Sequence, residues 1–231
     1  REPYSDKSGH YGALVNTVET LKNTAKRISD SDFQMNTHAI GDSANHIMLQ
    51  TYAAVLKDKK DRRWRIEHAQ IVSPEDFDLY KDVIPSVQPT HATSDMNMAE
   101  DRVGSDRILG AYAWRSFLNQ GTVLAGGSDF PVEDANPFFG LYSAVTRKDH
   151  QGKPVEGWYP EQKLSREEAL KSFTIDAAWA GFMQDVTGSL EVGKWADFIV
   201  IDRNYFEIPD SEIWQIQVLE TWLGGEQVYK K

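Results

Sequence analysis

Short apolar or β-branched runs alternate with helically spaced stretches between His10 and Asp129, and this alternation constrains the fold more than any other feature. Leu14, Val15, Val18, Leu21, Ala25 and Ile28 recur at helical spacing. The runs at 33–38, 63–68, 84–89 and 122–125 read as strands, the last leading into Gly126-Gly127-Ser128-Asp129. Asp42 can cap a helix that buries Ala44, Ile47, Met48, Tyr52 and Val55. Ser73-Pro74-Glu75 opens another with a cap-then-proline pattern, and residues 111–120 form a third that ends at Gly121. Strand and helix thus alternate four times, which favours parallel βα units joined by right-handed crossovers, and four such units make half of an eight-stranded barrel. Residues 90–105, polar and rich in Met, His and Asp, read as an ordered functional loop.

Beyond Asp129, residues 138–146 and 166–182 read as helices. The pattern changes near Gly188. Residues 197–202 form a tight apolar strand, and 218–223, Gly224-Gly225 and 227–229 form a hairpin. The expected division is a half barrel over 1–183 and a small β appendage over 184–231.

Hydrophobic residues make up 40% of the 231 and charged residues 26%, enough for a substantial core and too apolar for disorder. The net charge of −10 would repel phosphates and argues against nucleic acid. No apolar run approaches bilayer length, so no membrane partner is expected. The absence of cysteine removes disulfides and thiolate ligands and fits any redox compartment. Compartment stays open, with the cytoplasm the default. The opening Arg1-Glu2-Pro3-Tyr4 has no initiator Met and no signal pattern, which leads to the expectation of a cut, processed or truncated chain.

Three phrases carry the chemistry: NTHAIGD around His38, RIEHAQ around His68 and GGSDFPVED around Asp129. Each puts a metal-capable side chain at the end of a strand-like run, where parallel α/β folds build their sites. Neutral imidazoles can hold a divalent ion such as zinc, and a carboxylate can ligate it and take a proton from water. A lone histidine at a strand end is usually structural; two at equivalent places in consecutive units, with Asp129 at the same place in a later unit, are what raise the metal reading. His91, in QPTHATSD, ends the third run and either orients a substrate carbonyl or hydrogen-bonds within its loop. Arg102 either meets a substrate anion or pairs with Asp95, Glu100 or Asp101. Gly126 and Gly127 allow close backbone approach or positive φ. Trp114, Trp158, Tyr159 and Trp179 line a pocket or fill a core, and His10, His46 and His150 lie outside any motif.

Taken in order, NTHAIGD, RIEHAQ, SVQPTHATSDM, GAYAWRSFLNQGTVLAGGSDFPVE and GSLEVGKWADFIVID make the chain resemble the amidohydrolase superfamily. It is most similar to the type-3 group that includes N-substituted formamide deformylases and D-aminoacylase relatives. The resemblance implies a distorted (β/α)8 barrel with a β-sandwich, His38, His68, His91 and Asp129 ending strands five to eight. It implies that His38 and His68 ligate one metal, that Asp129 ligates another and shuttles a proton, and that His91 contacts the substrate carbonyl. The family's His-x-His and its carboxylated lysine are missing, so the chain resembles the C-terminal half: four barrel strands and part of the sandwich.

The expected function is metal-dependent hydrolysis of an amide or N-formyl C–N bond, with one or two ions, zinc first among them, and a small amide substrate. Full activity is expected only with the N-terminal half, and the isolated chain is expected to be inactive. Two rivals are a non-catalytic partner half that associates with an N-terminal piece or with itself, and a small-molecule binding module whose binding is indifferent to chelators.

Overall fold

The computed structural model describes residues 1–231, which fall into two compact units. The first comprises Arg1–Val87 and Asp95–Leu124, the second Gln88–Ser94 and Ala125–Lys231.

The first unit is built on three parallel strands, β1 (Asn36–Ala39), β2 (Arg65–His68) and β3 (Ile84–Val87), in the order β1-β2-β3. Helix α1 (Val18–Ser29) precedes β1, and Thr17 caps it by accepting from the Thr20 amide. Helix α2 (Asp42–Leu56) links β1 to β2, and a 3-10 stretch at Pro74–Asp82 links β2 to β3. The register sets His38 opposite Glu67 and Ala39 opposite His68, so the two histidines end adjacent parallel strands one residue out of step. Trp64, Ile66, Tyr52, Tyr80 and Phe117 fill the core, and the Tyr52 hydroxyl bridges Thr37 Oγ1 at 2.7 Å and the Arg65 carbonyl at 3.2 Å.

Alternation of strand and helix is therefore as the sequence predicts, except that α1 begins only at Val18 and leaves Leu14 and Val15 exposed, and with three further corrections. Gly41, not Asp42, is the N-cap of α2; Asp42 is its first residue and accepts from the Ser43 amide at 2.8 Å. Residues 90–105 are not a loop. They belong mostly to α3 (Pro89–Asp95) and α4 (Ala99–Arg107), the latter kinked at Gly104, where φ is 78°. The run at 122–125 supplies only a short strand, β4 (Ala125–Gly126), after α5 (Trp114–Asn119). Polar Thr, Ser and Asp in 90–105 suggested a loop, yet a proline at the first position and the absence of interior glycine suit the short helix α3.

In the second unit β4 is followed by α6 (Pro137–Thr146), α7 (Arg166–Phe173) and α8 (Ile175–Ala180). A full capping box starts α7: Ser165 Oγ accepts from the Glu168 amide, and Glu168 accepts from the Ser165 amide. Strands β5 (Phe198–Ile201), β6 (Val218–Leu223) and β7 (Glu226–Lys230) form an antiparallel sheet in the order β5-β6-β7. Gly224 and Gly225, at φ 56° and 85°, make the predicted hairpin turn, which needs two successive left-handed residues.

Candidate metal centre

His38 and His68 come together inside the first unit. Their ring centroids are 4.5 Å apart, edge to face at 77°. Parallel pairing of β1 and β2 brings the strand ends side by side, so two imidazoles predicted from separate motifs share one corner of the sheet. His38 is exposed and His68 half-buried.

The backbone at the predicted ligands is unusual. His68 and Asp129 both lie in the left-handed region, at φ 75° and 60°, and Ala69 follows at 45°. Such conformations cost on the order of 1–3 kcal/mol each and collect where side chains must be aimed. His68 is the last residue of β2, and Asp129 follows the end of β4 by three residues.

One residue ties down both histidine strands. Asn45, fully buried in the first turn of α2, points its amide Nδ2 at the carbonyls of Ala39 (3.1 Å), Gly41 (3.0 Å) and Ile71 (3.2 Å), with Ile40 also at 3.2 Å. The backbone adds the Ile71 amide donating to the Ile40 carbonyl at 2.9 Å. The segments that leave His38 and His68 are thus stitched together.

In the second unit α3 carries His91, which is 8% exposed. Its Nε2 lies 3.3 Å from Asp129 Oδ2 and its Nδ1 3.1 Å from Glu133 Oε1. Ser94 Oγ donates to the same Glu133 oxygen at 2.6 Å. His91 therefore does not end a strand: β3 stops at Val87, and His91 sits in the first turn of α3 with carboxylates at both ring nitrogens. Both ring nitrogens thus face carboxylates outside residues 90–105, not partners within that segment.

The structure thus brings His38 to His68, and His91 to Asp129. Arg102, on α4, donates to Asp6 at 2.6 Å rather than to Asp95, Glu100 or Asp101. Gly126 serves close approach: a Cβ there would meet Phe173 Cδ2 at 2.8 Å. Trp114 is a core residue. Glu133 and Asn45 are the site residues that the sequence reading lacks. Glu133 is hidden only by being one acid among several in GGSDFPVED, and Asn45 by looking like any polar residue on a helix.

The His38–His68 pair, in a chain without any thiolate, offers nitrogen donors suited to a borderline divalent ion. Residues 1–229 match the description "Amidohydrolase family". The chain belongs to that family. It is 36% identical to the protein LONG AFTER FAR-RED 3 of Arabidopsis thaliana over 99% of this chain and 40% of that protein. It is 28% identical to an N-substituted formamide deformylase of Arthrobacter pascens over 96% of this chain and 41% of that protein. Among solved structures, an uncharacterized metal-dependent hydrolase from Pyrococcus furiosus shares 30% identity at a TM-score of 0.76, covering 89% of this chain and 41% of that one. The chain therefore spans about two fifths of the length of these family relatives.

Proposed function

We propose that this chain carries part of the active site of a metal-dependent amidohydrolase acting on an amide or N-formyl C–N bond. The observation that carries the reading is the His38–His68 pair at the ends of adjacent parallel strands, rings 4.5 Å apart, in a member of the amidohydrolase family. His38, His68 and Asp129 are the residues assigned to hold a divalent ion, zinc by donor type. When bound, the ion supplies Lewis acidity and an activated water.

The chain's own residues do the rest. His91 is buried with Nδ1 on Glu133, which leaves Nε2, shared with Asp129, to place an N–H against the substrate carbonyl oxygen and favour the charge that builds there as the carbonyl is attacked. Asp129, in contact with His91, takes the proton of the attacking water and returns it to the departing nitrogen. Glu133 and Ser94 hold His91 from the opposite ring nitrogen and are positioning residues. Similarity to the N-substituted formamide deformylase of Arthrobacter pascens supports a C–N bond. Because the match spans only part of each relative, the reading assigns full activity to a protein that also carries the remaining portion of the fold, and predicts the 231 residues alone to be inactive.

The test is elemental analysis of the purified chain after gel filtration. Expected is zinc or a similar ion at up to one per chain, lost in His38→Ala and in His68→Ala. Metal content unchanged by both substitutions would overturn the ligand assignment.

A further inference from the structure

A cavity of about 410 Å³ opens in the first unit where the histidine strands end, and no role is yet assigned to it. Its wall begins at Ile40, two residues past His38, and at Gln70 and Ile71, two and three residues past His68. Its volume lies within the range of roughly 300–1,000 Å³ typical of small-molecule sites.

The chemistry of the lining narrows what it holds. Of the charged groups that line it, Arg102 is paired with an aspartate behind the wall and Lys7 stands exposed at the rim. Asp95 Oδ2 accepts from the Tyr112 hydroxyl at 2.7 Å and from Gln70 Nε2 at 3.2 Å, and Arg102 donates to Asp6 at 2.6 Å. A charged group seated inside, past Lys7 at the rim, would have to break one of these pairs, at the cost of leaving its partner unmatched. Aromatic and polarizable groups surround the mouth: Tyr4 stacks on His10 with centroids 5.3 Å apart, and Met98 stands 46% exposed beside them. Rings and a thioether favour another ring, with the exposed Lys7 at the rim able to meet its face.

We infer that this cavity is the specificity pocket for the substituent borne by the scissile amide, and that it takes an uncharged aryl or arylalkyl group. The placement beside the scissile bond rests on the reading of His38 and His68 as metal ligands; the binding itself does not.

The test uses the full 231-residue chain labelled with 13C-methyl methionine, the probe 3-phenylpropanamide, and acetamide and 3-phenylpropanoate as comparators. The arylalkyl amide is expected to shift the Met98 methyl resonance saturably, with a Kd on the order of 1 mM or below. Acetamide should leave that resonance in place, and the carboxylate should bind at least about tenfold more weakly than the amide. Met98→Trp, which fills the mouth from an exposed position, should weaken the amide by about tenfold or more. A Met98 resonance untouched by the amide overturns the inference whether or not the variant folds, as does equal binding of the carboxylate. Because this assay needs neither metal nor turnover, binding that persists in His38→Ala and His68→Ala variants whose metal content is unchanged would overturn the ligand assignment while leaving the pocket standing.

Discussion

The Tyr80 hydroxyl donates to Asn45 Oδ1 at 2.5 Å, and through Asn45 it reaches the chain segments that follow both histidine strands. Both side chains are fully buried, and burial pushes the Tyr80 phenol well above its ordinary range, so it stays a donor. Asn45→Leu leaves the carbonyls of Gly41 and Ile71 without this donor. It should destabilise the fold by about 1–3 kcal/mol and also lower metal retention in the elemental assay. Tyr80→Phe removes only the lower half of the relay and should cost less. Equal loss of stability with undiminished metal retention would assign Asn45 to the core alone.

Glu133 faces His91 Nδ1 at 3.1 Å and is itself held by Ser94 at 2.6 Å. Glu133→Gln keeps the shape and removes the charge. Carboxylates that orient a catalytic-site histidine are commonly worth about 10–100-fold, so the hydrolytic rate of the complete protein should fall by that order. The 15N shifts of the His91 ring should move with it, whereas a purely structural role would leave them in place. Unchanged ring shifts together with an unchanged rate would remove Glu133 from the site.

Gly126 and Gly127 look alike in the sequence and differ in space. A Cβ on Gly126 would lie 2.8 Å from Phe173 Cδ2 and 2.9 Å from Ser172 Oγ, while one on Gly127 meets nothing within 4 Å. Gly126→Ala should therefore cost about 1–3 kcal/mol by overpacking, and Gly127→Ala less than about 0.5 kcal/mol. Denaturant midpoints of the two variants check this directly. The reverse order would mean that the glycines serve turn conformation and not packing.

Much of this arrangement is legible in the sequence alone. His38 and His68 are flanked by β-branched or apolar residues and followed by turn formers, a local pattern that fixes both element and side-chain position. The hairpin at Gly224-Gly225 announces itself in the same way. His91 was harder. Its motif is intact, but the strand-like run before it ends early at Val87, and the proline that follows starts a helix instead of prolonging the strand. Arg102 had acidic neighbours in sequence, yet its partner is Asp6, nearly a hundred positions away in the chain order and brought close only by folding. Glu133 and Asn45 act through contacts made over 42 and 26–35 positions of sequence separation, which no local period encodes.

His150 gives the last prediction, and its sign follows from burial. Its ring lies flat on Trp214, centroids 4.4 Å apart at 7°, with Phe139 edge-on at 4.6 Å. Burial among these rings lowers its pKa below the ordinary 6.5, against an opposing pull from Asp149 and Asp134. The fold therefore favours the neutral ring. Its contribution to stability is complete above pH 6.5 and is lost as the pH falls from 6.5 through the lower folded value, where the unfolded chain binds the proton more readily. An NMR titration of the His150 ring should show a midpoint under 6.5, moving up toward 6.5 in Trp214→Leu as the ring gains water. His150→Gln should flatten the corresponding fall in thermal stability between neutral and mildly acid pH. A midpoint at or above 6.5 in the unaltered protein would show that the two aspartates outweigh the aromatic cage.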